Sequence, residues 1–140
     1  MFEPDHVLRI DSANAGDMER LHPWFDVVSG HLPLEIQHAM RVALEEVVLN
    51  AAMHGFAANT RGEITVRLCT SPESATLCVE DSGCAFDPTK APAHQQPANL
   101  LVAQIGGLGL VLLHHSCHDI TYERFVGRNR LIMRFALPPI

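Results

Sequence analysis

Long apolar runs are missing from this chain. The longest, Ile105 to Leu113, has nine residues, three of them glycine, about half of what a membrane-crossing helix needs. Basic charge is scarce as well: 10 lysines and arginines face 16 aspartates and glutamates, for a net charge of −6. That deficit argues against nucleic acid or an anionic membrane surface as the principal partner. The opening residues, Met1-Phe2-Glu3-Pro4-Asp5, carry acid where a secretory signal carries base. The four cysteines (Cys69, Cys78, Cys84 and Cys117) form no CxxC pair. With no export signal they are expected to stay reduced in a cytoplasmic protein.

What is present suffices for a core. Hydrophobic residues make up 47% of the 140, and a globular chain of this size buries roughly 68–70% of its unfolded surface. Such a composition is too apolar for a disordered chain. No internal repeat or linker interrupts it, so residues 1–140 are expected to form one domain.

Hydrophobic spacing predicts the elements. Val7 to Ile10 is a short apolar run suited to an opening strand. Met18, Leu21, Phe25 and Val28 recur at helical intervals, predicting one amphipathic helix over Ala15 to Ser29 despite Pro23. From Leu34 to His54 the residues Ile36, Met40, Ala43, Val47 and Ala51 hold the same period, and Gly55 is a natural stop. Period-two alternation then predicts a hairpin of Glu63 to Leu68 and Ala75 to Glu80. Asp87 to Ala103 reads as a long loop, and Gly106 to Cys117 as a further helix. Ile120 to Phe125 and Arg130 to Leu137 are expected as two strands around a Gly127-Arg128-Asn129 turn. This order predicts an α+β two-layer sandwich, a mostly antiparallel mixed sheet with three helices on one face.

Three segments can carry chemistry. In the long helix, taking Met40 and Val47 as the centre of the buried stripe, Glu45 lies roughly 150° away and points to water. Glu46 lies about 110° away on the other side, Asn50 about 70° and His54 about 30°. These three form an i, i+4, i+8 ridge running from the exposed face towards the core. A carboxylate and an amide one turn apart can act as base and metal ligand, and both offer the oxygen that Mg²⁺ prefers. A polar shoulder on an ordinary surface helix has the same pattern. The second segment, Asp81-Ser82-Gly83-Cys84-Ala85-Phe86-Asp87-Pro88, follows a strand. A carboxylate there can accept from the exocyclic amine of a base, while glycine admits a ligand close to the backbone; a solvated turn is the plainer alternative. The third, Gly106-Gly107-Leu108-Gly109-Leu110, places three glycines ahead of an apolar helix, where free amides can hold an anion. It is neither a P-loop nor a GxGxxG dinucleotide motif.

In this order the segments resemble the GHKL ATPase superfamily, which includes gyrase, Hsp90, histidine kinases and MutL. Within it they are most similar to the bacterial anti-sigma-factor serine kinases of the RsbW and SpoIIAB kind. Leu44 to Phe56 looks like the N box, Asp81 to Pro88 like the G1 box, and Gly106 to Leu113 like the G2 box. Asp119 to Arg124 and Gly127 to Leu131 look like the closing hairpin, so the likeness runs from about Val7 to Leu137. The resemblance implies a Bergerat ATP-binding fold using ATP and Mg²⁺. It assigns Glu46 as general base, Asn50 as Mg²⁺ ligand, and Asp81 as acceptor for the adenine amine over a floor opened by Gly83. Gly107, Leu108 and Gly109 would lie around the triphosphate, and Asp87 to Gln104 would be the ATP lid. The implied partners are a STAS-domain anti-anti-sigma protein as substrate, a sigma factor or other regulated protein, and a second copy in a homodimer.

One position departs from the pattern. Ala85 stands where many superfamily members have a second glycine, and Lys90 is the lid's one cation. These features motivate a second expectation, a weakly catalytic nucleotide-binding module that captures its partner without phosphorylating it. A domain cut from a larger sensor kinase is a third. Among the nine histidines, His114 and His118 share a helix face, yet no distant ligands complete a zinc site, so structural roles are expected. The same holds for His54, and the chain lacks the dimerisation helices that carry a phosphoacceptor histidine. Trp24 and Phe25 are expected in the core or an interface, and Cys84 is expected to be the most exposed thiol.

Overall fold

The computed structural model describes residues 6–11, 15–54, 62–85 and 117–139. Strand β1 (His6–Asp11) opens it and helices α1 (Ala15–Met18) and α2 (Leu21–Val28) follow. One helix is predicted here and two are found, and Pro23 explains the break. In a continuous helix its ring would collide with the carbonyl of Glu19, four residues earlier. With α2 starting at Leu21, the proline occupies the first turn, where a missing N–H is harmless. The Arg20 N–H donates to the Asp17 carbonyl (3.1 Å) and the Trp24 N–H to the Arg20 carbonyl (3.1 Å), bridging the break.

Helix α3 (Leu34–His54) has the bounds its periodicity predicts. Its first turn is set by the Gln37 N–H on the Pro33 carbonyl (2.9 Å) and Gln37 Nε2 on the Leu32 carbonyl (2.7 Å). Met40, Ala43, Leu44, Val47, Val48 and Ala51 are buried along it, joined by Leu21, Phe25 and Val28 of α2. Burying each larger apolar side chain contributes roughly 1.5–3 kcal/mol, which is what commits this helix to the sheet. An Arg41–Asp26 ion pair, with the Arg41 guanidinium 6.0 Å from the Phe25 ring centre, fastens α3 to α2.

Strands β2 (Glu63–Thr70), β3 (Ser74–Asp81), β4 (Asp119–Phe125) and β5 (Arg128–Ala136) complete one five-stranded sheet in the order β1-β2-β3-β5-β4. A mixed sheet is predicted, yet every pairing among the described strands is antiparallel. Both sequence-adjacent pairs, β2–β3 and β4–β5, are joined by short turns that permit no other orientation. Registers align three rows that run through all five strands on the inner face. Two are mainly apolar: His6-Leu68-Leu77-Met133-Ile120 and Leu8-Val66-Val79-Leu131-Tyr122. The third changes character partway across: Ile10 and Ile64 are followed by Asp81, Asn129 and Arg124.

The described helices cover this inner face, α1 and α2 against β1 and α3 against β2 and β3. The expected helix Gly106 to Cys117 lies outside the described residues except for Cys117, so two layers are observed with three described helical segments on one face. No described helix is long and apolar enough to cross a membrane.

The turn between β4 and β5 differs from expectation and matters for the site. It is Val126-Gly127, with φ of 47° and 72°, the doubly positive pattern of a two-residue type I′ hairpin. Arg128 and Asn129, predicted as turn residues, are therefore strand residues, and Asn129 lies opposite Asp81.

Candidate nucleotide site

Two groups of predicted residues fall within the described structure. The first is on α3. Glu45 is exposed, Glu46 is half-buried and Asn50 is buried, the gradient expected for a ridge that climbs towards the core. Glu46 Oε1 and Asn50 Nδ2 are both shielded from solvent, and neither makes a well-formed hydrogen bond to a described residue. Burial raises the Glu46 carboxyl above its ordinary value, the Asn50 side chain, within weak hydrogen-bonding reach of the carboxylate, opposes the rise, and the Glu45 charge adds to it. An uncompensated polar atom in the interior costs about 1–3 kcal/mol, and the described residues alone leave this pair uncompensated. His54 ends the helix, and its side chain lies outside the described residues.

The second group is the turn after β3. Asp81 is 7% exposed, and its Oδ1 accepts from the Gly83 N–H (2.9 Å) and from Asn129 Nδ2 (2.9 Å). Oδ2 makes no hydrogen bond to a described residue. Gly83 is buried, whereas Cys84 and Ala85 are exposed. Asn129 Nδ2 also donates to the Cys84 carbonyl (2.7 Å). The Asn129 Oδ1 accepts from Tyr122 Oη and from Arg124 Nη1 (3.1 Å), and the same Arg124 nitrogen donates to the Gly83 carbonyl (2.7 Å). This network settles which way the Asn129 amide faces. Flipped, it would set its NH₂ against the Arg124 donor and its oxygen against two acceptors.

Packing of α3 across β2 and β3 brings the helix carrying Glu46 and Asn50 onto the strand that ends in Asp81, although no hydrogen bond among the described residues joins the two groups. Gly107, Leu108, Gly109, the proposed lid and His114 lie outside the described residues. Within them no cluster of three or more His, Cys, Asp or Glu side chains suits a metal ion. A cation here would need ligand oxygens from a bound nucleotide as well as from Asn50, as Mg²⁺ ordinarily takes them. Cys84 is the exposed thiol, as expected, while Cys69, Cys78 and Cys117 are half-buried. Phe25 is in the core and Trp24 packs against it.

Sequence reasoning missed Asn129, Tyr122 and Arg124. The signal was present in the alternation. Tyr122 and Arg124 share the parity of Ile120, and Asn129 that of Leu131 and Met133, so all face inward once the turn is confined to Val126-Gly127.

Comparison with known proteins matches residues 13–135 to the model of the histidine kinase-like ATPase domain. Serine/threonine-protein kinase BtrW of Bordetella bronchiseptica is 30% identical over 98 residues, covering 70% of this chain and 69% of that protein. Serine-protein kinase RsbW of Listeria monocytogenes is 27% identical over 85 residues, covering 58% of this chain but only 54% of the relative. Among solved structures, the histidine kinase domain of the blue-light activated kinase EL346 from Erythrobacter litoralis shares the fold. Its TM-score is 0.55 at 18% identity, over 87% of this chain and 60% of that one. With the domain model spanning most of its length and relatives that are RsbW- and BtrW-type kinases, this chain belongs to the histidine kinase-like ATPase (GHKL) family.

Proposed function

We propose that this chain is an ATP-dependent serine/threonine protein kinase whose substrate is a STAS-domain antagonist, in a cytoplasmic partner switch that controls a sigma factor or another regulated protein. A single domain spanning residues 1–140 carries the activity in this proposal. The observation that carries it is the Glu46–Asn50 pair, a buried carboxylate oxygen and a buried amide nitrogen one helical turn apart, neither with a well-formed hydrogen bond among the described residues. Groups that destabilise the fold are retained where function uses them, and the relatives named as serine kinases support this use.

The residues suit their proposed roles chemically. When bound, Mg²⁺-ATP supplies the transferable phosphoryl group and the metal charge that offsets its negative oxygens. Asn50 would hold the cation, Asp81 with Gly83 and Ala85 the adenine end, and Gly107, Leu108 and Gly109 the phosphates. Glu46 would take the proton of the incoming serine hydroxyl. Its carboxyl, raised by burial, is a better proton acceptor for that step than an ordinary glutamate. A phosphoserine formed on the partner would add about 1.5–2 negative charges. An acidic kinase, at −6, would then release it by repulsion.

The test is transfer from ATP, with Mg²⁺, to a STAS-domain protein of the same source, followed by intact mass. The wild type is expected to add one phosphate, and Glu46→Ala to abolish transfer while retaining ADP binding. Transfer by Glu46→Ala at the wild-type rate would overturn the base assignment. Stable capture of the STAS protein with no phosphate gained would favour the non-phosphorylating module, which the exposed alanine at position 85 of the turn motivates.

A further inference from the structure

Arg124 is an unusual member of the turn network. It sits on the edge strand β4, exposed, 41 residues in sequence from the glycine whose carbonyl it holds. Nη1 carries two hydrogens, and its two acceptors are the neutral oxygens of Gly83 (2.7 Å) and Asn129 (3.1 Å). No ion pair to a described carboxylate competes for it. A half-immobilised surface arginine gains little net stability from such bonds, because ordering a long side chain offsets them. What the contacts do accomplish is geometric. Arg124, Asn129 and Asp81 are consecutive across β4, β5 and β3, and neighbouring strands lie about 4.8 Å apart, so only a long side chain can cross from the edge to the turn.

We infer that Arg124 is a positioning residue for base recognition: by holding the Gly83 carbonyl and the Asn129 amide, it fixes the Asp81–Cys84 turn so that Asp81 presents Oδ2 as a free acceptor. This rests on the adenine-nucleotide reading proposed above. Asp81 Oδ1 is committed twice, to the Gly83 N–H and to Asn129 Nδ2. Among the described residues one oxygen of fixed direction therefore remains, and it suits an exocyclic amine rather than a carbonyl oxygen. Release of Arg124 frees the Gly83 end of the turn, and Asp81 loses its fixed orientation while keeping its chemistry. The effect falls on discrimination between an amino and an oxo group on the purine, which global stability does not register.

The experiment measures ADP and IDP binding to the full chain with Mg²⁺ by calorimetry, together with thermal melts. IDP replaces the adenine amine with an oxygen, and the wild type is expected to prefer ADP by roughly tenfold or more. Arg124→Met, which keeps the apolar stem and removes the donors, is expected to reduce that preference to within about threefold of unity. Arg124→Lys, which keeps a donor, is expected to recover part of it. Equal weakening of both ligands in Arg124→Met, an unchanged preference in that variant, or an Arg124→Lys variant no better than Arg124→Met would overturn the positioning role and leave the adenine reading intact. A wild type that does not distinguish ADP from IDP would overturn the adenine reading and this inference with it.

Discussion

Asn129→Ala is the most informative single perturbation of the fold at this site. The residue is 5% exposed, and its side-chain amide makes hydrogen bonds to Tyr122, Arg124, Asp81 and the Cys84 carbonyl among the described residues. These bonds are not equally lost on truncation. Arg124 is exposed and Tyr122 half-buried, so water replaces Asn129 Oδ1 for both at little cost. The bonds from Nδ2 are different, because Asp81 is buried and keeps, among the described residues, only the Gly83 N–H. Losing a bond to a carboxylate costs about 1.5–3 kcal/mol, and losing one to a carbonyl about 1 kcal/mol. The sum is about 3 kcal/mol, enough to lower the melting temperature by roughly 10 °C in a domain of this size. Asn129→Asp should be worse by about 1 kcal/mol or more, since it sets oxygen against both Asp81 Oδ1 and the Cys84 carbonyl. Urea denaturation followed by tryptophan fluorescence and far-UV circular dichroism measures both, with equal m-values as the check that the comparison is valid. A loss below about 1 kcal/mol for the alanine variant, or an aspartate variant as stable as the wild type, would show that the network does not order this turn.

Glu46 gives a pH signature. Its folded-state carboxyl is raised above the ordinary value of 4.5, so the native state binds the extra proton and stability declines as pH rises from that value through the raised one. Glu46→Gln resembles the protonated form; its stability relative to wild type should stay level at low pH and improve as pH rises, and a difference constant from pH 4 to 8 would contradict the burial argument. Val126 places a β-branched side chain in the left-handed region, at φ 47° and 91% exposed; Val126→Asn should stabilise the chain by about 1 kcal/mol, and an unchanged midpoint would rule out backbone strain there. Thiol labelling at pH 8 should modify Cys84 ahead of Cys78 and Cys117, whose thiols burial pushes up to about 11 and about 12; peptide mapping that finds Cys78 first would contradict this order.

Much of this protein was legible in the residue pattern. The period of α3 runs unbroken because one apolar stripe faces the sheet throughout, and the same arithmetic separates exposed Glu45 from half-buried Glu46 and buried Asn50. Both hairpins follow from alternation, since side chains on a strand have no other way to divide between core and solvent. Local chemistry was harder to weigh. Pro23 divides a predicted helix because its effect depends on where the preceding turn ends, and the Val126-Gly127 turn was hidden because valine is a poor residue for the conformation it adopts.

The sequence alone determined the layer architecture, the ridge on α3 and the candidate carboxylate at the end of β3, all of which depend on neighbours within a few residues. Tertiary structure decided the rest. Asp81 and Asn129 are 48 residues apart, and Arg124 and Gly83 41. Only the β3-β5-β4 strand order and register, set by burying Leu77, Val79, Leu131 and Met133 together, place them in one row. A side chain's local period says which face it takes. Which distant partner it meets there is decided by how the strands are ordered and aligned to fill the core.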